Sequence, residues 1–117
     1  MNDLTMIFKV LSDETRLRIV HALMFEELCV CEMTTLFQET QPKISKHLSK
    51  LKDIGLVDVR REDRFMYYRL SDKFDALNDL MPWLKAHGAN HDPLKHDQRQ
   101  LMDTVALTCV RQEARGV

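Results

Sequence analysis

At Gly55 the hydrophobic period of this chain changes, and that change restricts the fold more than any other feature of its 117 residues. Before it, Ile44, Leu48, Leu51 and Ile54 recur at the spacing of one helix face. After it the period is two: Val57 and Val59 share a face, and Met66, Tyr68 and Leu70 alternate back. Gly55 stands where a left-handed C-terminal cap belongs, so a helix is predicted to stop there and a hairpin to follow. Arg60 to Arg64, with the sequence Arg-Arg-Glu-Asp-Arg, form a charged hairpin tip. Upstream, Thr40 can cap the helix, and Pro42 fits its first turn, where a missing N–H costs nothing.

The remaining elements are helical by the same criterion. Leu4, Ile7, Phe8 and Leu11 predict a short first helix, and Ser12-Asp13-Glu14 supply a cap and carboxylates for the second. That helix is expected to run to about Phe25 with Leu17, Val20 and Met24 inward, and His21 beside this face as a packing or surface residue. A third helix is expected over Cys31 to Phe37, with a turn at Gln38-Glu39-Thr40. Two helices joined by a tight turn, the second longer and basic outside, make a helix–turn–helix. Its outward residues are Gln41, Lys43, Ser45, Lys46, His47 and Lys50, donors suited to base edges or phosphates. The hairpin behind it is then a wing, with Arg61, Arg64 and Tyr68 as candidate backbone contacts.

Ser71-Asp72 open a last regular helix, in which Phe74, Leu77, Met81 and Leu84 keep a heptad-like spacing and Pro82 is expected to kink or restart it. Together with the first helix this is more apolar surface than one small core needs. A dimer interface of Leu4, Ile7, Phe8, Leu77, Met81 and Leu84 is the expected use. Beyond Gly88 the chain turns polar, carries His91 and His96 after His87, and offers one more helical stretch from Gln98 to about Val110. The expected division is a DNA-binding and dimerisation domain over 1–88 and a helical extension or tail over 89–117. The fold class is mainly α with a small β-hairpin, an α+β winged helix–turn–helix.

The net charge of −1 hides an asymmetry that bears on partners. Between Gln41 and Leu70 eight cations face four anions, so this stretch carries +4 and the rest of the chain −5. A basic stripe on an acidic body suits double-stranded DNA, whose affinity comes from local phosphate neutralisation. No apolar run approaches the roughly 18 residues of a membrane span, and the N-terminus lacks the pattern of a signal peptide, so a cytoplasmic protein without membrane contact is expected. An enzyme is not expected. There is no phosphate loop and no Ser/His/Asp or Cys/His pattern, and the His87/His91 pair is interrupted by Gly88.

Three blocks, Leu11 to Leu17 (Leu-Ser-Asp-Glu-Thr-Arg-Leu), Glu27 to Glu32 (Glu-Leu-Cys-Val-Cys-Glu) and Gln41 to Leu48 (Gln-Pro-Lys-Ile-Ser-Lys-His-Leu), resemble the arsenic-resistance repressor (ArsR/SmtB) family. The similarity covers about residues 4 to 72. The resemblance implies a winged-helix homodimer that represses a metal- or metalloid-resistance operon. It also implies that the metalloid-sensing pair is Cys29 and Cys31. Some members carry a third cysteine three residues past the second, where this chain has Thr34. The family's other site, an Asp-x-His pair with later histidines on the last helix, has no counterpart between Asp79 and His91.

Thiolates select soft ions, so arsenite or antimonite is the expected inducer, with Cys109, a solvent hydroxide or nothing as third ligand. Residues two apart on a helix point about 200° apart, so both sulfurs cannot hold one ion while the helix stays regular. Ligation is therefore expected to unwind the first turn of the helix and release DNA. The alternatives are a Cd(II)- or Pb(II)-sensing repressor and a thiol redox sensor. The second is opposed by the strained ring a pair this close would form and by the lack of an adjoining base.

Overall fold

Helix α4 (Gln41–Asp53) ends as its glycine requires. Gly55 has φ of 81°. Its N–H donates to the Lys52 carbonyl at 3.0 Å, and the Leu56 N–H donates to that of Leu51 at 3.0 Å, the paired closure of a Schellman motif. The chain then enters β2 (Val57–Glu62) and returns as β3 (Phe65–Leu70). The computed structural model describes residues 2–72 and 75–102. Its other elements are α1 (Asn2–Leu11), α2 (Glu14–Leu23), β1 (Leu28–Cys29), α3 (Val30–Phe37), α5 (Asp75–Gly88) and α6 (Leu94–Met102). This is a winged helix–turn–helix, mostly helical with a small antiparallel sheet, as the sequence predicts.

The hairpin register pairs Val57 with Leu70, Val59 with Tyr68 and Glu62 with Phe65. Both strands thus run further than the sequence suggests, and only Asp63 and Arg64 form the turn. Asp63 takes φ of 56°, which a short polar side chain tolerates. The sheet also has a third strand that the sequence reading lacks. β1 pairs with β3, Leu28 opposite Tyr68 and Cys29 opposite Tyr67, so β3 is the central strand. Two residues are too few to show a period, which is why this element is invisible to pattern.

One core holds the molecule together. Ile19 and Val20 of α2, Leu28, Met33 of α3, Ile44 and Leu48 of α4, and Leu56 are all fully buried in it. Met81 and Leu84 of α5 and Leu94 and Leu101 of α6 close the same cluster. The segment after Gly88 therefore does not hang free of residues 1–88. Its helix begins at Leu94 rather than Gln98 and packs against α2 and α3. Helix α5 passes through Pro82 without ending, so the expected restart there does not occur. Gly88 lets the end of α5 close on α2: a Cβ there would stand 2.5 Å from Nε2 of His21. His21 is fully buried, edge-on to Phe25 with ring centroids 5.2 Å apart. Burial pushes its pKa below that of a free imidazole.

Asp97 ties α6 in place. It is fully buried, and Arg18 donates to both of its oxygens at 2.9 Å. Arg18 in turn lies 5.2 Å above the Phe37 ring at the end of α3. Asp97→Ala leaves the Arg18 guanidinium half-buried without its partner. A loss of about 3 kcal/mol in unfolding free energy is expected, near the lower end for a broken buried pair because Arg18 keeps some access to water. Urea denaturation of the two full-length chains measures it; an unchanged midpoint would show that the Arg18–Asp97 pair does not hold α6 in place.

Candidate thiol switch and nucleic-acid interface

The sequence Glu27-Leu28-Cys29-Val30-Cys31-Glu32 crosses from strand to helix, and that crossing sets the two thiols apart. Cys29 ends β1 and is the N-cap residue of α3, with φ −90° and ψ 168°. Cys31 lies one residue inside the helix. Cys29 is buried and Cys31 exposed. The expectation that both thiols sit on one helical turn is therefore only half met: the first occupies extended backbone beside the sheet. Burial pushes the Cys29 thiol up to about 11. Glu32, itself 1% exposed, completes the cap: the Cys29 N–H donates to its Oε1 at 3.0 Å. On Cys31 the carbonyl accepts from the hydroxyls of Thr34, 2.7 Å, and Thr35, 3.1 Å. Among the described residues no three metal-ligating side chains converge. The donor set is two sulfurs, and Cys109 lies outside the described residues.

The register places Cys29 beside Tyr67 of the wing. Arg60 lies 5.0 Å above the Tyr67 ring and reaches Glu27 with two bonds of 3.2 and 3.3 Å. The thiol segment is thus joined to the wing by backbone pairing and by an ion pair, neither of which the sequence displays.

On α4, Gln41, Lys43, Ser45, Lys46 and Lys50 are exposed, while Ile44, Leu48 and Leu51 are buried. Lys43 is paired with Glu39 at 3.1 Å. His47 departs from the outward set. Its side chain is 12% exposed and its Nδ1 stands 3.9 Å from Oδ1 of Asp13, whose carboxylate caps α2 through the Arg16 N–H at 3.0 Å. Burial holds the His47 pKa below its ordinary value, with Asp13 opposing. The i, i+3 position that turns His47 toward Ile44 and away from Lys46 explains the difference. At the wing, Arg61 and Arg64 are exposed, the first donating to the Asp63 carbonyl at 3.1 Å. Tyr68 is half-buried against the core, opposite Val59.

Of the expected interface residues, Leu4 and Phe8 are 46% and 56% exposed. Ile7, Met81 and Leu84 instead belong to the monomer's own core, where α1 and α5 each pack on α2. The side chain of Leu77 lies outside the described residues. Trp83, which periodicity does not single out, is 58% exposed. With Phe8, Leu80 and His87 it borders an apolar cleft of about 280 Å³.

The family model for bacterial regulatory proteins of the arsR family matches residues 13–59, from the α2 cap into β2. The solved ArsR-like transcriptional regulator from Rhodococcus sp. RHA1 is 30% identical, has a TM-score of 0.58 and is matched over 86% of this chain and 92% of that one. The chain belongs to the arsR family. Among curated arsR-type relatives, the arsenical resistance operon repressor of Escherichia coli (strain K12) is 46% identical over 71 residues, 60% of this chain and 61% of that protein. The cadmium resistance regulatory protein CadC of Listeria innocua is 47% identical over 62 residues, 52% of each. The match thus spans 52% to 61% of the length of those relatives. Both are regulators by name, in line with the reading of this arsR-family chain as a non-enzyme.

The unequal burial of the thiols has a direct chemical signature. In the full chain, iodoacetamide at neutral pH should alkylate Cys31 at least about tenfold faster than Cys29, since Cys29 is buried and its thiol is pushed up to about 11. Peptide mass mapping over time reads both sites; equal rates would place Cys29 at the surface.

Proposed function

We propose that this protein is a homodimeric repressor that binds operator DNA through α4 and the wing and leaves it when arsenite or antimonite ligates Cys29 and Cys31. The observation that carries this reading is the position of the pair. One sulfur belongs to the N-cap in extended backbone, the other to the first helical turn, and only Val30 stands between them. Two thiolates, with a hydroxide or Cys109 as third donor, match the soft, three-coordinate chemistry of trivalent arsenic. Drawing both sulfurs to one centre requires Cys29 to leave its buried place, which disturbs the start of α3 and the edge of the sheet together. DNA binding favours the undisturbed arrangement, so the ligand and the operator compete through one local equilibrium. A hundredfold loss of operator affinity needs a coupling of only about 2.7 kcal/mol.

The relatives' names include both arsenical and cadmium resistance, and two sulfurs suit the first more economically. A redox switch fits less well, because a disulfide needs both sulfurs and Cys29 is buried, its thiol pushed up to about 11. Dimerisation uses the exposed apolar side chains Leu4, Phe8 and Trp83, the last two of which line the apolar cleft between α1 and α5.

For the DNA contacts, Lys46→Ala and Arg64→Ala should each weaken operator binding and lower the slope of log affinity against log salt by about 0.9 per lost phosphate contact. His47→Gln should leave that slope unchanged, since His47 faces Asp13. Fluorescence anisotropy over a salt series distinguishes the three. If the lysine and arginine variants keep the parent slope, the docking is wrong.

For the switch, Cys29→Ser and Cys31→Ser should each dimerise and bind DNA but fail to release it with arsenite. The double variant should be wholly unresponsive. The arsenite concentration at half-release, measured on one operator fragment, is the readout, with cadmium and peroxide run in parallel. Release of the double variant at the parent concentration would refute the assignment.

A further inference from the structure

Glu32 is a buried carboxyl in the middle of the switch, and the ligation chemistry does not use it. It is 1% exposed, on the first turn of α3, and its Oε1 takes the Cys29 N–H at 3.0 Å. A carboxyl is costly to bury, and it is tolerated where it accepts strong hydrogen bonds. The bond it makes here exists only while Cys29 keeps the extended N-cap geometry, with φ −90° and ψ 168°. That same geometry pairs Cys29 with Tyr67 of the wing and keeps its side chain buried, away from the exposed Cys31.

We propose that Glu32 is a positioning residue that latches Cys29 in the DNA-binding arrangement and thereby sets the metalloid concentration at which the repressor lets go. This deepens the thiol-switch reading and rests on it. The latch stabilises the resting state alone, because bringing Cys29 to a centre shared with Cys31 turns the Cys29 backbone and breaks the bond to Oε1. A group that stabilises only one of two states shifts the equilibrium by the whole of its contribution. Removing it therefore favours the released state without touching either sulfur. The neighbouring ion pair of Glu27 with Arg60 holds the same segment from the wing side but is exposed, so it contributes less.

The test compares Glu32→Ala and Glu32→Gln with the parent, all as full chains. Glutamine keeps an acceptor oxygen at the same reach; alanine does not. Two measurements are made on each: the iodoacetamide alkylation rate of Cys29 without metalloid, and the arsenite concentration at half-release from the operator. Alanine should raise Cys29 alkylation at least about tenfold and lower the half-release concentration about tenfold. Glutamine should restore both to within about threefold of the parent. Far-ultraviolet circular dichroism checks that α3 persists; should alanine unfold the chain, Glu32→Leu, which fills the space without an acceptor, takes its place with the same expected shifts. Unchanged alkylation in the variant lacking the acceptor overturns the latch while leaving the thiol assignment standing. Faster alkylation with no arsenite response in any chain, parent included, overturns the thiol assignment. A rise in the arsenite needed for release would show that Glu32 supports the ligated state, and that too overturns the latch.

Discussion

Two residues of backbone pairing, Leu28 with Tyr68 and Cys29 with Tyr67, join the entrance of the helix–turn–helix to the central strand of the wing. A pairing this short has little stability of its own. It persists because Leu28 is sunk completely in the core, Glu32 holds Cys29 from below, and Glu27 binds Arg60 from the wing. The placement of α3 and the placement of the hairpin are consequently one variable rather than two. Both elements proposed to contact DNA depend on it, since α4 packs on α3 and β2 follows directly from the α4 cap. A small chemical event at Cys29 needs no distant pathway to reach the DNA-binding surface.

The buried polar groups share a pattern. Asp97 receives both nitrogens of Arg18, Glu32 receives the Cys29 amide, and His47 meets Asp13 at the α2 cap. Each lies where separate elements meet: α6 on α2, β1 on α3, and α4 on the turn between α1 and α2. Apolar packing would hold these elements together at many relative positions, because dispersion and burial carry no direction. The hydrogen bonds at Asp97 and Glu32 narrow that choice, and His47 and Asp13 add a 3.9 Å polar contact. His21 is different, an imidazole wholly enclosed by α2, α5 and the turn after it, whose pKa burial lowers.

Periodicity exposed the helices and the hairpin because their repeats of 3.6 and 2 run over many residues. Gly55 marked its cap for the same kind of reason: only one local backbone geometry suits it there. The cysteine pair and the basic face of α4 were visible as residue types at a spacing. The faults in that reading have a common origin. His47 lies on the basic helix, yet its orientation depends on Asp13, thirty-four positions earlier. Ile7, Met81 and Leu84 fit an interface stripe, yet the monomer already covers them, while Trp83 is left outside. Asp97 interrupts an apolar stripe of α6, and nothing nearby announces Arg18 as its partner.

The sequence by itself therefore determined the order of elements, the wing behind the recognition helix, and the thiol pair as the chemistry to explain. These follow from short-range rules: helical and strand periods, a glycine cap, and the affinity of sulfur for soft ions. Only the tertiary structure decided that Cys29 is buried at a strand end while Cys31 is exposed on a helix, and that Glu32 fastens the first of them. Burial and pairing across the fold are set by which distant segments meet. Such meetings leave no period in the chain for a reader to find.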